Sequence, residues 1–130
     1  MRILLADDES SVRFALRVLL EQQPALEVVG EADDSESLLK RTRSHCPDLV
    51  LLDWELPGIT AVKALLALRR LCPTLGVIAL SSRPEAHRAA LDAGVDAFVS
   101  KADPPERLLA AVNNILPKLE VSRNTRRGGG

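Results

Sequence analysis

The sequence lacks any apolar run long enough to cross a membrane. A bilayer-spanning helix needs roughly 20 consecutive apolar residues, and no stretch of these 130 residues approaches that length. The amino terminus becomes acidic at Asp7 and Asp8, which is too early for a secretory signal peptide. We therefore expect a cytoplasmic protein with no membrane partner.

Cysteine is scarce, with 2 residues in the whole chain. Cys46 and Cys72 each precede a proline, at positions where the sequence predicts the ends of two separate helices. Neither lies at a spacing that is typical of a metal site or a redox motif. We therefore predict two reduced thiols.

An excess of positive charge is missing outside the carboxyl-terminal tail. The chain has a formal net charge of −1, but residues 118–130 carry an excess of basic residues, which leaves about −4 on residues 1–117. An acidic body argues against a nucleic-acid-binding surface, because such surfaces cluster Lys and Arg against the phosphate backbone. The basic tail is too short to specify such binding alone, so we expect no direct nucleic-acid binding by this domain.

Short apolar segments alternate with stretches of helical periodicity, which predicts five βα units. The apolar segments are residues 3–6, 27–30, 49–52, 76–80 and 97–99, and the last helix is expected over residues 106–116. Continuously aliphatic strands are buried on both faces, which is typical of a parallel sheet between helices. Right-handed crossovers then give a doubly wound α/β fold. We expect one domain over residues 1–117, followed by a disordered tail or truncated linker over residues 118–130.

Acidic residues stand at the ends of two predicted strands. Asp7 and Asp8 follow the first strand and Asp53 follows the third. Crowded carboxylates repel one another unless a cation lies among them, and Mg²⁺ prefers such oxygen ligands. We predict Mg²⁺ ligation by Asp8 and Asp53, with the main-chain carbonyl of Glu55 as a third ligand and Asp7 holding a water. Alternatively, Asp7, Asp8 and Glu9 only complement the positive end of the first helix, and Asp53 caps a loop.

A hydroxyl and an ammonium group follow the last two strands. Ser81 ends the fourth strand, and Lys101 follows the fifth. A carboxylate that attacks phosphorus needs a metal to shield its charge, with hydroxyl and cationic donors for the equatorial oxygens. Taken alone, a serine such as Ser81 is more often a turn residue, and a lysine such as Lys101 is more often a solvated charge. With the three acids, they predict a phosphoryl-transfer site.

Four motifs carry a resemblance to a known family. They are Leu-Ala-Asp-Asp at 5–8, Leu-Leu-Asp-Trp-Glu-Leu-Pro-Gly at 51–58, Leu-Ser-Ser at 80–82 and Phe-Val-Ser-Lys at 98–101. In these motifs residues 1–117 resemble the receiver domains of bacterial two-component response regulators, and Val-Val-Gly-Glu-Ala at 28–32 is most similar to the NarL/LuxR class. The resemblance implies a flavodoxin-like (βα)5 fold with strand order 2-1-3-4-5. It also implies phosphotransfer from a histidine kinase to Asp53, with Mg²⁺ at Asp7, Asp8 and Asp53.

The resemblance further implies a switch through Ser81 and Phe98. Phosphorylation of Asp53 would draw Lys101 and Ser81 inward and let Phe98 move. The surface of the fourth helix, fifth strand and fifth helix would then change. This surface is expected to contact an output domain or a second copy, with transcription regulation as the output and no enzymatic activity beyond self-phosphorylation and dephosphorylation. Its candidate residues are Ala86, His87, Ala90, Arg107 and Ala111. Taken alone, a phenylalanine such as Phe98 is more often a core aromatic, and His87 is more often a surface helix residue than a ligand or phosphate carrier.

Three other functions are weighed against this one. A receiver-like scaffold that does not use phosphate would not need every site residue, and all are present. A haloacid-dehalogenase-like phosphatase resembles an Asp-x-Asp arrangement with a substrate cap, whereas Asp7 and Asp8 are adjacent and the chain has no room for a cap. A flavodoxin-like electron carrier needs a phosphate-cradling loop after the first strand, where this chain places acids.

Overall fold

A five-stranded parallel sheet lies at the centre of the fold. The computed structural model describes residues 1–128, with side chains as far as residue 119. The strands lie in the order β2-β1-β3-β4-β5, and each neighbouring pair is parallel. Their bounds are β1 Arg2–Ala6, β2 Glu27–Ala32, β3 Leu49–Asp53, β4 Gly76–Ser81 and β5 Ala97–Ser100. The predicted doubly wound fold and its strand order are confirmed.

A helix follows every strand. The first turns of two helices are fixed by side-chain caps: Asp34 accepts the N–H of Ser37 at 2.7 Å, and Thr60 accepts that of Lys63 at 3.3 Å. Within residues 1–128, no helix combines the length and the apolar character that crossing a bilayer requires. The helices are α1 Ser10–Glu21, α2 Ser35–His45, α3 Ala61–Leu71, α4 Ala86–Ala93 and α5 Pro105–Gly128.

The two faces of the sheet pack against different helices. Successive strand residues point to opposite faces, so Val50 and Leu52 join the core layer under α2, α3 and α4, whereas Leu49 and Leu51 join the layer under α1 and α5. All five residues of β3 are buried, including Asp53. The aliphatic strands therefore hold a rigid central sheet, whose carboxyl-end edge carries the polar residues.

The last helix is longer than the sequence predicts. The sequence predicts a helix over residues 106–116 and a disordered tail from residue 118, whereas α5 continues past Pro117 to Gly128. Leu119 is 8% exposed and packs in the core layer under α1 and α5, so the turn after Pro117 is held by apolar contact. The domain boundary at residue 117 stays a prediction, and residues 129 and 130 lie outside the described chain.

The prediction of two reduced thiols is wrong for this structure, in which Cys46 and Cys72 are joined by a disulfide. Pro47 and Pro73 follow the ends of α2 and α3, which lie side by side on the same face of the sheet. Each cysteine is the C-cap of its helix, and their Cα atoms are 6.1 Å apart. The separation of 26 residues conceals this proximity in the sequence.

Candidate functional site

The carboxyl ends of four adjacent strands bring the predicted site residues to one edge of the sheet. Asp7 directly follows β1, Asp53 ends β3, Ser81 ends β4 and Lys101 directly follows β5. The register aligns these ends, because Asp53 pairs with Leu80 across β3 and β4. In an open α/β sheet this edge is where binding sites form.

Three carboxylates converge at this edge. Asp7, Asp8 and Asp53 each offer an oxygen within 4.8 Å of the others. Asp7 is 1% exposed and Asp53 is 2% exposed, whereas Asp8 is exposed. Main-chain N–H groups hold the two buried acids: Glu9 donates to Asp7 Oδ1 at 2.9 Å, and Glu55 donates to Asp53 Oδ1 at 3.0 Å.

Lys101 is the cation nearest to the buried acids. Its Nζ lies 2.7 Å from Asp7 Oδ2 and 3.5 Å from Asp53 Oδ1. Burial disfavours its ammonium form, but the carboxylates of Asp7 and Asp53 outweigh that effect and raise the pKa of Lys101. Lys101 is therefore charged across the physiological pH range.

Asp53 is the acid whose titration is shifted most clearly. Burial raises its pKa to about 6, against the hydrogen bond from the Glu55 N–H, and the charge of Asp7 adds to the rise while that of Lys101 opposes it. Asp53 is thus a buried carboxylate whose charge is partly balanced by the nearby Lys101 and whose position is held by a main-chain donor. A carboxylate in such surroundings is well placed to act as a nucleophile.

The donor set fits a hard divalent cation. Oxygen ligands from carboxylates are those that Mg²⁺ prefers, and the cluster supplies three of them. Asp7 Oδ2 is buried and lacks a hydrogen bond of good geometry among the described residues, although Lys101 lies close to it. This buried oxygen of Asp7 lies next to the exposed Asp8 and is suited to bind a cation that enters from solvent.

The side chain of Glu55 has a role that the sequence analysis missed. Ser81 is fully buried, and its hydroxyl donates to the Glu55 carboxylate at 2.8 Å from Oε1 and 2.9 Å from Oε2. Ser81 Oγ also accepts the N–H of Arg83 at 3.0 Å. The sequence predicts a role only for the main-chain carbonyl of Glu55, as a Mg²⁺ ligand. Nothing in the sequence around a single acidic residue indicates that its side chain would bind Ser81.

Arg13 is a second supporting residue that sequence reasoning did not identify. It donates to the main-chain oxygen of Asp7 at 2.6 Å and to Glu31 Oε1 at 3.0 Å. An arginine on the first helix has no distinctive sequence signal for such a contact. The interaction ties α1 and β2 to the segment that carries the acids.

Phe98 and His87 form a stacked pair on the predicted partner face. Their ring centroids are 4.8 Å apart, with an angle of 12° between the planes. His87 is exposed on α4, and Phe98 is partly buried on β5. The assignment of Ala90 to this exposed face is wrong. Ala90 faces the sheet and is fully buried in the core layer under α4.

The fold and this constellation agree with a comparison against protein families. Residues 3–113 match the family model of the response regulator receiver domain. The chain belongs to this family. A receiver domain is the signal-transducing module of two-component response regulators, so the predicted function class is confirmed. Membership of this family excludes the two alternative functions, a haloacid-dehalogenase-like phosphatase and a flavodoxin-like electron carrier.

Individual relatives of this receiver domain support the NarL/LuxR class. The chain is 37% identical over 118 residues to the transcriptional activator protein ExaE of Pseudomonas putida, covering 89% of this chain and 55% of ExaE. It is 35% identical over 113 residues to the nitrate/nitrite response regulator NarL of Escherichia coli, covering 85% and 52%. The chain thus spans about half the length of the curated relatives it matches.

A solved structure supports the same class. The two-component response regulator of the LuxR family from Aurantimonas sp. SI85-9A1 superposes with a TM-score of 0.82 at 31% identity, covering 90% of this chain and 85% of that chain. The family resemblance drawn from the four motifs and the class resemblance drawn from residues 28–32 are therefore both confirmed.

Proposed function

We propose that Asp53 of this receiver domain accepts a phosphoryl group from the phosphohistidine of a histidine kinase. A carboxylate oxygen of Asp53 forms the bond to phosphorus, the phosphorus–nitrogen bond breaks, and the electron pair returns to the imidazole of the kinase. The observation that carries the proposal is the convergence of buried Asp53 with two further acids, Lys101 and Ser81 at one sheet edge.

Asp7, Asp8 and Asp53 would hold Mg²⁺, with the main-chain carbonyl of Glu55 as a further ligand. When bound, the divalent ion shields the negative charge of the carboxylate and the phosphoryl oxygens. The chain's own residues supply the rest: Asp53, with a pKa of about 6, is ionised for most of the time near neutral pH. Lys101 adds a positive charge 3.5 Å from Asp53 Oδ1.

Ser81 would convert phosphorylation into a conformational change. Its hydroxyl donates to Glu55 in the present state, and a phosphoryl group on Asp53 offers acceptor oxygens of higher charge. Movement of Ser81 towards Asp53 vacates space beside β4, into which Phe98 can turn. The surface of α4, β5 and α5 then differs between the two states, and phosphate shifts their populations only by its differential contacts.

This changed surface would contact an output domain or a second copy of the receiver. Exposed positions on it include His87 and Arg107. Transcription regulation is the proposed output of the whole protein, because ExaE is a transcriptional activator and matches over half its length. The acidic character of residues 1–117 supports a domain that does not itself bind nucleic acid, and the cytoplasmic location stays a prediction.

Trp54 offers a direct experiment, since it adjoins Asp53 and is the only tryptophan. Its fluorescence should respond to Mg²⁺ in a saturable way and change again when beryllofluoride is added. In the matched variant Asp53→Asn the second change should be lost. A Trp54 signal that is silent to both additions would favour the alternative, a phosphate-independent interaction scaffold of the same fold.

A further inference from the structure

The two cysteines lie at the edge of the sheet opposite the candidate site. Cys46 is the C-cap of α2 and shortly precedes β3, and Cys72 is the C-cap of α3 and shortly precedes β4. Their Cα atoms are 6.1 Å apart and a disulfide joins them, within the range that disulfides span. Two residues far apart in the chain are thus held at bonding distance by the packing of two helices.

The two cysteine residues differ in their exposure to solvent. Cys46 is exposed, whereas Cys72 is 4% exposed and packs in the core layer with Leu68 and Leu75. Thiol–disulfide exchange proceeds by attack at a sulfur that the partner molecule can reach. A small molecule in solution therefore meets Cys46 first.

The surroundings accommodate the reduced state as well as the oxidised one. In the reduced form the buried thiol has an acceptor within reach, since Cys72 Sγ lies 4.0 Å from the main-chain oxygen of Thr42. The main-chain N–H groups of both cysteines donate within their own helices, to Thr42 at 2.8 Å and to Leu68 at 2.9 Å. Reduction therefore leaves both main-chain N–H groups and the buried thiol of Cys72 with a hydrogen-bond acceptor.

We propose that Cys46 and Cys72 form a thiol–disulfide exchange site for low-molecular-weight disulfides and thiols, with Cys46 reacting first and Cys72 resolving. The Cys46 thiolate attacks a small disulfide, forms a mixed disulfide and releases one small thiol. The Cys72 thiolate then attacks Cys46 Sγ and releases the second small thiol. The protein loses two protons and two electrons, which reduce the small disulfide; a small thiol in excess reverses both steps.

Oxidation has a structural consequence that can be measured. The bond closes a loop over residues 46–72, which contains β3 and α3, and a cross-link of this kind restricts the unfolded chain. The oxidised domain should unfold at a higher temperature than the reduced domain. This inference goes beyond the phosphorylation proposal and does not depend on it.

The test uses the full chain, reduced and then incubated in mixtures of glutathione and glutathione disulfide, with no Mg²⁺ and no phosphoryl donor. Samples are quenched in acid, alkylated in denaturant and weighed intact. The wild-type chain should lose both alkylatable thiols as the disulfide fraction rises, without retaining glutathione, and excess glutathione should restore them. The variants Cys46→Ser and Cys72→Ser separate the two roles.

Cys72→Ser should accumulate one glutathione on Cys46, and Cys46→Ser should take up none and stay alkylatable. Because a buried hydroxyl in Cys72→Ser can unfold the domain, circular dichroism checks the fold and Cys72→Ala replaces that variant if needed. The proposal is overturned if wild-type thiols persist at every glutathione ratio, or if Cys46→Ser takes up glutathione as fast as the Cys72 variant. Neither result bears on phosphorylation of Asp53.

Discussion

The hydroxyl of Ser81 donates to the side chain of Glu55, 2.8 Å from Oε1, and the structure records no hydrogen bond from it to Asp53. Asp53 and Ser81 end adjacent parallel strands, so the hydroxyl needs only a local rearrangement to reach a group bound at Asp53. Under the proposed function, Glu55 would therefore compete with a phosphoryl group on Asp53 for the hydroxyl of Ser81. The equilibrium of the proposed switch depends on which acceptor Ser81 prefers.

Glu55→Ala should strengthen the binding of beryllofluoride, a phosphoryl mimic. A hydrogen bond to a charged acceptor contributes about 1.5–3 kcal/mol, and the exposure of Glu55 reduces that value. We expect the dissociation constant to fall by about threefold to tenfold, measured from Trp54 fluorescence with Mg²⁺ present.

Loss of a negative charge at Glu55 could produce the same change without any hydrogen bond. A double-mutant cycle with Ser81→Ala separates the two causes. If Ser81 carries the effect, Glu55→Ala should leave beryllofluoride binding almost unchanged in the Ser81→Ala background. An equal gain in both backgrounds would contradict the competition between Glu55 and the phosphoryl group.

Asp53→Asn should stabilise the domain at neutral pH and much less in acid. The pKa of Asp53 is raised from 3.8 to about 6, so the folded state binds this proton more tightly than the unfolded state. The favourable contribution is complete below pH 3.8 and is lost as pH rises through about 6. Above that pH the ionised carboxylate costs about 2–3 kcal/mol, which the isosteric amide avoids.

Urea unfolding of both proteins at about pH 4 and about pH 8 measures this difference in the free energy of unfolding. The gain from Asp53→Asn should appear at the higher pH and shrink at the lower one. Added Mg²⁺ should narrow the gap at the higher pH by stabilising the wild type. A gain that is equal at both pH values would show that ionisation of Asp53 is not its cause.

Lys101→Met should destabilise the domain in the absence of Mg²⁺. It removes the cation that lies 2.7 Å from buried Asp7 and 3.5 Å from Asp53, at an expected cost of about 1–3 kcal/mol in the free energy of unfolding. Mg²⁺ should recover part of the loss. Lys63→Met, on the exposed surface of α3, is the matched control and should change neither stability nor the Mg²⁺ response.

His87→Ala should weaken the packing between α4 and β5 on the predicted partner face, without affecting the candidate site around Asp53. Loss of the stack on Phe98, with centroids 4.8 Å apart, is expected to cost about 1 kcal/mol. Backbone amide NMR signals of β5 should shift while those next to Asp7 stay in place. Arg88→Ala, an exposed neighbour on α4, controls for the loss of a long side chain, and equal shifts in both variants would argue against a specific role for the stack.

Much of the candidate site could be predicted from the sequence, because its residues lie at strand ends and the sheet topology determines where those ends lie. Asp53 and Ser81 end continuous aliphatic segments, and a parallel sheet necessarily brings such ends to the same edge. Asp7 and Lys101 follow their strands directly and share that edge. These residues could be identified without a structure since backbone topology, rather than side-chain packing, determines where they lie.

Contacts that depend on side-chain conformation or on helix packing could not be predicted. The Ser81–Glu55 hydrogen bond requires a particular path of the segment after β3, and the approach of Cys46 to Cys72 requires the packing of α2 against α3. A proline inside a helix such as Pro117 normally interrupts it, but Leu119 packs in the core and α5 continues beyond Pro117. Local sequence signals report none of these tertiary effects.

The most direct measurement of the central claim is the intact mass of the chain after incubation with Mg²⁺ and a small phosphoryl donor such as acetyl phosphate. The account predicts the addition of one phosphoryl group to the wild type, its loss on treatment with hydroxylamine, and no addition to Asp53→Asn. An unchanged wild-type mass, or the same addition in Asp53→Asn, would contradict the assignment of Asp53 as the phosphoryl acceptor.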